Sequence, residues 1–300
     1  MRVLDNDIRG AKERLNEVYS EIEFIEADVR DADAVRKACS GVDSVIHLAY
    51  INGTEYFYKM PELVLEVGVK GMMNVLDGCI KENVRELFLA SSSEVYQTAE
   101  KIPTDESASL IVPDILNPRY SYGGGKIISE LLTINYGRKH FDKAIIFRPH
   151  NVYGPDMGWE HVIPQFVLRM KELSKIKDKI IKFPIQGTGK QTRAFCFIDD
   201  FIDGLMLILE KGKHMNIYHI GTMEEISIEK VAEEVGRYFG RNVETVPEKP
   251  AEGSTLRRCP DIGKLKKLGY KPKISFKEGL KITAEWYCKN SGNIKKIKSK

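Results

Sequence analysis

"ELFLASSSEVYQ", residues 86–97, runs an apolar stretch directly into three serines and a glutamate. A short apolar run without polar alternation reads as a strand buried on both faces, as in a parallel sheet covered by helices. Runs of the same kind occur at 2–4 ("RVL"), 23–27 ("EFIEA"), 44–49 ("SVIHLA") and 143–149 ("KAIIFRP"), and stretches of helical spacing lie near 31–40, 61–82 and 119–140. Strand and helix in alternation predict an α/β protein with a doubly wound parallel, Rossmann-like sheet. In such a sheet ligands bind at the carboxyl ends of the strands, where the serines and Glu94 stand. A serine-rich turn is the plainer alternative. The 143–149 run also ends in polar groups, "FRPHNVYGP", with Arg148, His150, Asn151 and Tyr153.

After residue 155 the rhythm changes. Helix 162–175, short strands near 180–184 and 193–198, helix 199–211, a strand at 216–219, helix 226–239 and a last helix at 276–288 predict a smaller α/β lobe, with loops at 183–189 and 247–253.

The 300 residues carry 46 basic and 43 acidic side chains, a net charge of +3. That balance argues against nucleic acid or membrane as a partner. No apolar run reaches the roughly 18 residues of a membrane span and no signal peptide opens the chain, so a cytoplasmic location is expected. Five cysteines without a C-x-x-C pair predict free thiols, and six scattered histidines predict no metal site.

"YSYGGGKIISELL" (120–132) places Tyr122 and Lys126 four residues apart on one helix face. An ammonium beside a phenol stabilises the phenolate and draws its pKa down from about 10 toward the range of a general base. Gly123, Gly124 and Gly125 would let a flat ring or a ribose come close to the helix backbone. Alone, Y-x-x-x-K also fits a solvated helix face.

In order, "DVRD", "VIHLA", "GMMNVLDGC", "SSSEVY", "YSYGGGK", "FRPHNVYGP", "GTGKQTRAFCFIDD" and "RRCPDIGKLKKLGYKPKISFKEGLKITAEWY" make the chain resemble, over nearly its whole length, the extended short-chain dehydrogenase/reductases of the NAD-dependent epimerase/dehydratase family. The resemblance implies NAD as cofactor, a nucleotide sugar as substrate, and modification of that sugar through a transient 4-keto intermediate, of 4,6-dehydratase, epimerase or decarboxylase type. It assigns Ser92 as the catalytic hydroxyl, Tyr122 as the base, Lys126 as the holder of the nicotinamide ribose and Glu94 as a second acid/base. Cofactor contacts fall on Asp5, Asp28, Val29, Leu48 and Ala49, and substrate contacts on Ser93, Asn151, His161, Arg193 and Arg258. "RRCPD" leaves either arginine open, and His161 also suits a surface helix start. Ser93-Glu94, in place of the Asp-Glu usual in nucleotide-glucose 4,6-dehydratases, is similar to GDP-mannose dehydratases and UDP-glucuronate decarboxylases.

By the same resemblance, residues 1–155 with about 190–215 form a dinucleotide-binding domain and about 156–189 with 216–288 a substrate lobe, while the strongly basic composition of the end predicts a disordered tail over 289–300. A homodimer through helices 61–82 and 119–140 is implied, although Leu63, Val67, Met72, Leu76, Ile128, Leu131 and Leu132 equally suit a core. Two departures stand out. The family's first strand and G-x-x-G-x-x-G turn have no counterpart, since the first glycines are Gly10 and Gly41. Weak or no NAD binding is therefore expected, from a start assigned too far downstream, a degenerate homologue, or a sheet completed otherwise. Gly68 stands where the family usually has asparagine.

Overall fold

The computed structural model describes residues 1–8, 10, 12–176, 178–249 and 255–291. The expected tail lies outside the described residues from 292 onward. The first half alternates as the sequence implies: β1 (Arg2–Asp5), β2 (Glu23–Glu26), α1 (Ala32–Cys39), β3 (Ser44–His47), α2 (Thr54–Lys59), α3 (Pro61–Leu65), α4 (Gly71–Lys81), β4 (Glu86–Ala90), α5 (Ser121–His140) and β5 (Lys143–Pro149). The α1 start is fixed by Asp31, whose carboxylate accepts from the amides of Asp33 and Ala34. The expected helix at 61–82 is three pieces, because one π turn, Glu66–Lys70, separates α3 from α4. Gly71 opens α4 where a Cβ would come within 2.7 Å of Val29 Cγ2.

The main sheet has the order β10-β5-β4-β3, in which β10 is Asn216–Ile220. The β3–β4 and β4–β5 ladders are parallel, with Leu89 opposite His47 and Ile146. Its core joins Leu87, Leu89, Ala144 and Ile146 to Val35 and Cys39 of α1 and Met72, Val75, Leu76 and Cys79 of α4. Val67, Met72 and Leu76 are thus core, whereas Ile128 and Leu131 on α5 stay 41% and 58% exposed. β1 and β2 form a parallel two-stranded sheet of their own. The strands flanking the expected gap do not close up: β1 is held instead through Arg2, which donates to the carbonyls of Ala38 in the last turn of α1 and of Ser40 just after it. β3 keeps Ile46 41% exposed, and Leu48 just beyond it is 58% exposed.

The chain divides into two units, Met1–Gln97 with Leu110–Arg148 and Lys211–Tyr218, and Thr98–Ser109 with Pro149–Glu210 and His219–Lys300. Residues 190–210 therefore group with the second unit, not with the first. That unit holds β6 (Val152–Tyr153), α6 (Val162–Leu173), β7 (Ile180–Gln186), β8 (Thr192–Ala194), β9 (Cys196–Phe197), α7 (Ile198–Lys211, except its last residue), β11 (Glu225–Ser227), α8 (Ile228–Tyr238), β12 (Asn242–Glu248), β13 (Arg257–Arg258), α9 (Gly263–Lys266) and α10 (Phe276–Asn290). The expected strand at 193–198 is two, pairing in different sheets on either side of Phe195. β7 continues through Pro184 into the expected loop, because among the described residues it pairs only with β12, so the amide that proline lacks falls on an open side. Around Phe166, Phe183, Val231, Tyr153, Phe276 and Tyr287 the unit builds a core of its own.

All five cysteines are free. Among the described residues no helix is long and apolar enough to cross a membrane, and no group of three His, Cys, Asp or Glu is placed to hold a metal.

Candidate active site

β4 ends at Ala90, and the chain turns at once: Ser92 Oγ accepts from the Glu94 amide at 3.1 Å and caps a single 3-10 turn, Ser93–Val95. Ser93 is buried, and Ser92 and Glu94 are half-buried. α5 packs on this turn through Gly123, where a Cβ would meet Gln97 Nε2 at 2.7 Å and the Glu94 carbonyl at 3.0 Å. Gln97 Nε2 itself donates to that carbonyl. One turn along α5, Lys126 is 2% exposed and its Nζ donates to the Ala90 carbonyl at 2.6 Å. Tyr122 is 6% exposed, with Lys126 Nζ 5.9 Å from its ring centroid. The structure thus brings Ser92, Glu94, Tyr122 and Lys126 to one strand end.

The next turn of α5 anchors the same place. Glu130 receives Arg148 Nε at 2.8 Å and Nη2 at 2.5 Å, Ser91 donates to Glu130, and Arg148 also reaches the Tyr96 hydroxyl. Glu130 and Arg148 are both almost wholly buried. Sequence reading passed over Glu130 because an acidic residue on a helix is ordinarily a solvated one.

Three residues that the motifs did not flag crowd the pair. Tyr50 meets the Tyr122 ring edge-on at 5.1 Å, and Phe57 stacks on that ring at 5.1 Å and 21°. The Tyr50 ring covers Lys126 Nζ at 3.9 Å. His47, the last residue of β3, is buried, and desolvation with the nearby Lys126 charge pushes its pKa down to about 3. The room left by the glycines is therefore taken up inside the protein: Gly123 admits the 93–97 turn, Gly125 the Tyr50 hydroxyl, and Gly124 only touches Val112. This corrects the expectation that all three serve a ligand.

Burial holds the Lys126 pKa down at about 7, opposed by Glu130. Between that value and the ordinary lysine value of about 10.4 the unfolded chain binds the extra proton, so stability rises with pH through this window, while below it the penalty of the buried charge is fully present. A Lys126→Met variant lacks this slope. Urea unfolding at fixed pH should show wild type gaining about 3 kcal/mol on the variant between pH 7 and 10; parallel curves would contradict it.

Asp5 ends β1 exposed, and its carboxylate accepts from the nearby Asp7 amide at 2.7 Å. Asp28 is engaged by Arg30 through Nε and Nη2, each at 2.9 Å, and by Asn6, and Arg30 holds its pKa well below the carboxylate range. Val29 is buried against Gly71, and its carbonyl accepts from Asn74. Leu48 is exposed and Ala49 half-buried, both directly after β3.

In the second unit Arg193 of β8 and Arg258 of β13 are register partners. Both reach Thr255, Arg193 Nη2 its carbonyl at 2.8 Å and Arg258 Nη2 its hydroxyl at 3.0 Å. Arg257 instead forks onto Glu225. Of the two arginines left open by sequence, Arg258 is the one that joins Arg193. Asn151 sits at φ 42°, a conformation asparagine tolerates, with its side chain directed to the Ala194 carbonyl at 3.4 Å. His161 precedes α6 at the cap position, half-buried.

A model of the NAD dependent epimerase/dehydratase family matches residues 1–221. The chain belongs to that family. This member is 31% identical over 295 residues to a putative UDP-glucose 4-epimerase of Methanocaldococcus jannaschii, covering 96% of this chain and 90% of that protein. It is 28% identical over 276 residues to a trifunctional UDP-glucose 4,6-dehydratase/UDP-4-keto-6-deoxy-D-glucose 3,5-epimerase/UDP-4-keto-L-rhamnose-reductase of Arabidopsis thaliana; the match takes in 89% of this chain but only 39% of that longer protein. Among solved structures it superposes on a double mutant of the dTDP-glucose 4,6-dehydratase DesIV from Streptomyces venezuelae with NAD and DAU bound, at TM-score 0.86 and 27% identity, covering 99% of this chain and 89% of that one.

The family is NAD-dependent, and the donors of the first unit fit such a cofactor in kind: an exposed carboxylate at the end of β1, and a buried amine beside a phenol at the end of β4. The clearance at the amine does not fit while Tyr50 covers it.

Proposed function

We propose that this family member remodels a nucleotide-activated sugar, with the first unit serving the cofactor and the chemistry and the second holding the substrate's diphosphate. The observation that carries the reading is the Lys126 amine drawn to the Ala90 carbonyl beside Tyr122, one residue from the serine turn. NAD, when bound, supplies a hydride acceptor. Tyr122 takes the proton of a sugar hydroxyl, usually at C4, with the Lys126 charge favouring its phenolate. Ser92 hydrogen-bonds the same oxygen and holds it in line. Glu94, in the same turn, moves the second proton during dehydration, epimerisation or decarboxylation. Arg193 and Arg258, side by side, suit a diphosphate through their planar forks.

The test pairs a calorimetric titration with NAD and a product assay on a panel of UDP-, dTDP- and GDP-sugars. Turnover of at least one sugar with modification at C4 or an adjacent carbon supports the reading. NAD binding without any product, across the panel, would defeat it. A second reading, a silent sugar-nucleotide binder, is favoured by the cover on Lys126 and by Gly68 in place of asparagine. In that case UDP or dTDP binds while NAD does not. The exposed Ile128 and Leu131 on α5 support a homodimer through that helix, and Leu131→Glu should then leave a monomer by analytical ultracentrifugation.

A further inference from the structure

Four observations meet at Tyr50. Its ring covers Lys126 Nζ, 3.9 Å from the centroid. The same ring abuts Tyr122, on which Phe57 stacks as well. Its hydroxyl lodges between Gly68 and Gly125, where a Cβ at either position would overlap it. That hydroxyl is buried and, among the described residues, has no hydrogen-bond partner.

Gly68 and Tyr50 are therefore a matched pair: a side chain at 68, asparagine included, cannot coexist with this seat of Tyr50. Lys126 has one N–H on the Ala90 carbonyl, and with 2% of the residue exposed a ribose diol reaches the others only if the ring leaves. An unpartnered hydroxyl makes the seat costly to hold, since swinging out returns it to water. A conformer held so weakly is displaced by a ligand that prefers the open one. The connection that carries Tyr50 bends at Gly53, with φ 136° and ψ 129°, a conformation that favours glycine.

We propose that Tyr50 is a built-in gate over Lys126, occupying the place beside the amine that a cofactor ribose takes, so that this seat and the bound cofactor exclude one another. The inference rests on the NAD-using reading above, and two measurements separate their fates. The first is labelling of the Lys126 amine by acetic anhydride in the absence of NAD, read by mass spectrometry. The second is NAD affinity by calorimetry.

Tyr50→Ala removes the cover and should raise Lys126 labelling and NAD affinity about tenfold, as expected when the competent fraction grows by that factor. Tyr50→Phe keeps the ring but deletes the unpartnered hydroxyl, so it holds the closed seat more firmly: labelling and NAD affinity should both fall below wild type. This opposite response of two substitutions is not expected of a side chain that only fills space. Equal labelling in wild type and Tyr50→Ala, or, where wild type binds NAD measurably, a Tyr50→Phe variant that binds it as tightly, would overturn the gate. If labelling follows the order Ala, Tyr, Phe while none of the three binds NAD, the gate stands and the NAD-using reading falls.

Discussion

Tyr122→Phe should fold normally and lose turnover roughly a thousandfold, the scale of a positioned general base. The fold is expected to survive because the contacts of Tyr122 with Tyr50 and Phe57 are made by the ring, which phenylalanine keeps. Nucleotide-sugar affinity, measured by calorimetry, should change little, since the hydroxyl acts on a proton in the transition state rather than in binding. A loss smaller than about tenfold would assign the proton to another group, with Glu94 the next candidate in the same turn.

The second large effect concerns stability. Glu130→Gln keeps the shape of the side chain but leaves the buried Arg148 charge without a carboxylate opposite it, which should cost about 3–5 kcal/mol in chemical denaturation. The paired replacement Glu130→Leu with Arg148→Met removes both charges and should recover most of that loss, because the desolvation penalty disappears with them. Ser91 donates to Glu130 and directly precedes Ser92, so the single variant should also loosen the catalytic turn and depress kcat beyond what its lower stability explains. A loss below about 1 kcal/mol for Glu130→Gln would mean that the ion pair is not what secures this end of β4.

What could be read from sequence follows from how local each signal is. β4 and β5 are buried almost throughout, and their apolar runs announce it. β12 was missed because its residues alternate between half-buried and exposed and include Pro247, which mimics a loop. The π turn at Glu66–Lys70 is silent, since "EVGVKG" continues a helical pattern. At the site, Tyr122 and Lys126 announce themselves by their spacing, and Ser92 by its place after a strand. Tyr50 could not be found this way, because its partners at 68, 122, 125 and 126 lie far along the chain and meet it only after folding. The one available hint was compositional: two bare glycines, 68 and 125, on different helical segments, waiting for the same hydroxyl.

The extra residue wound into the turn between α3 and α4 also fixes how this protein tolerates changes in length. Removing a single residue from 66–70 would return the turn to ordinary α winding with the residues after it in the orientation they already have, because the wide turn is what absorbs the extra residue. Gly71 would then stay against Val29, and Met72 and Leu76 would remain turned into the core. A one-codon deletion there should thus be far less damaging than one inside α4, where every later residue would turn by about 100°, which makes the segment the place where this helix can absorb a change in length.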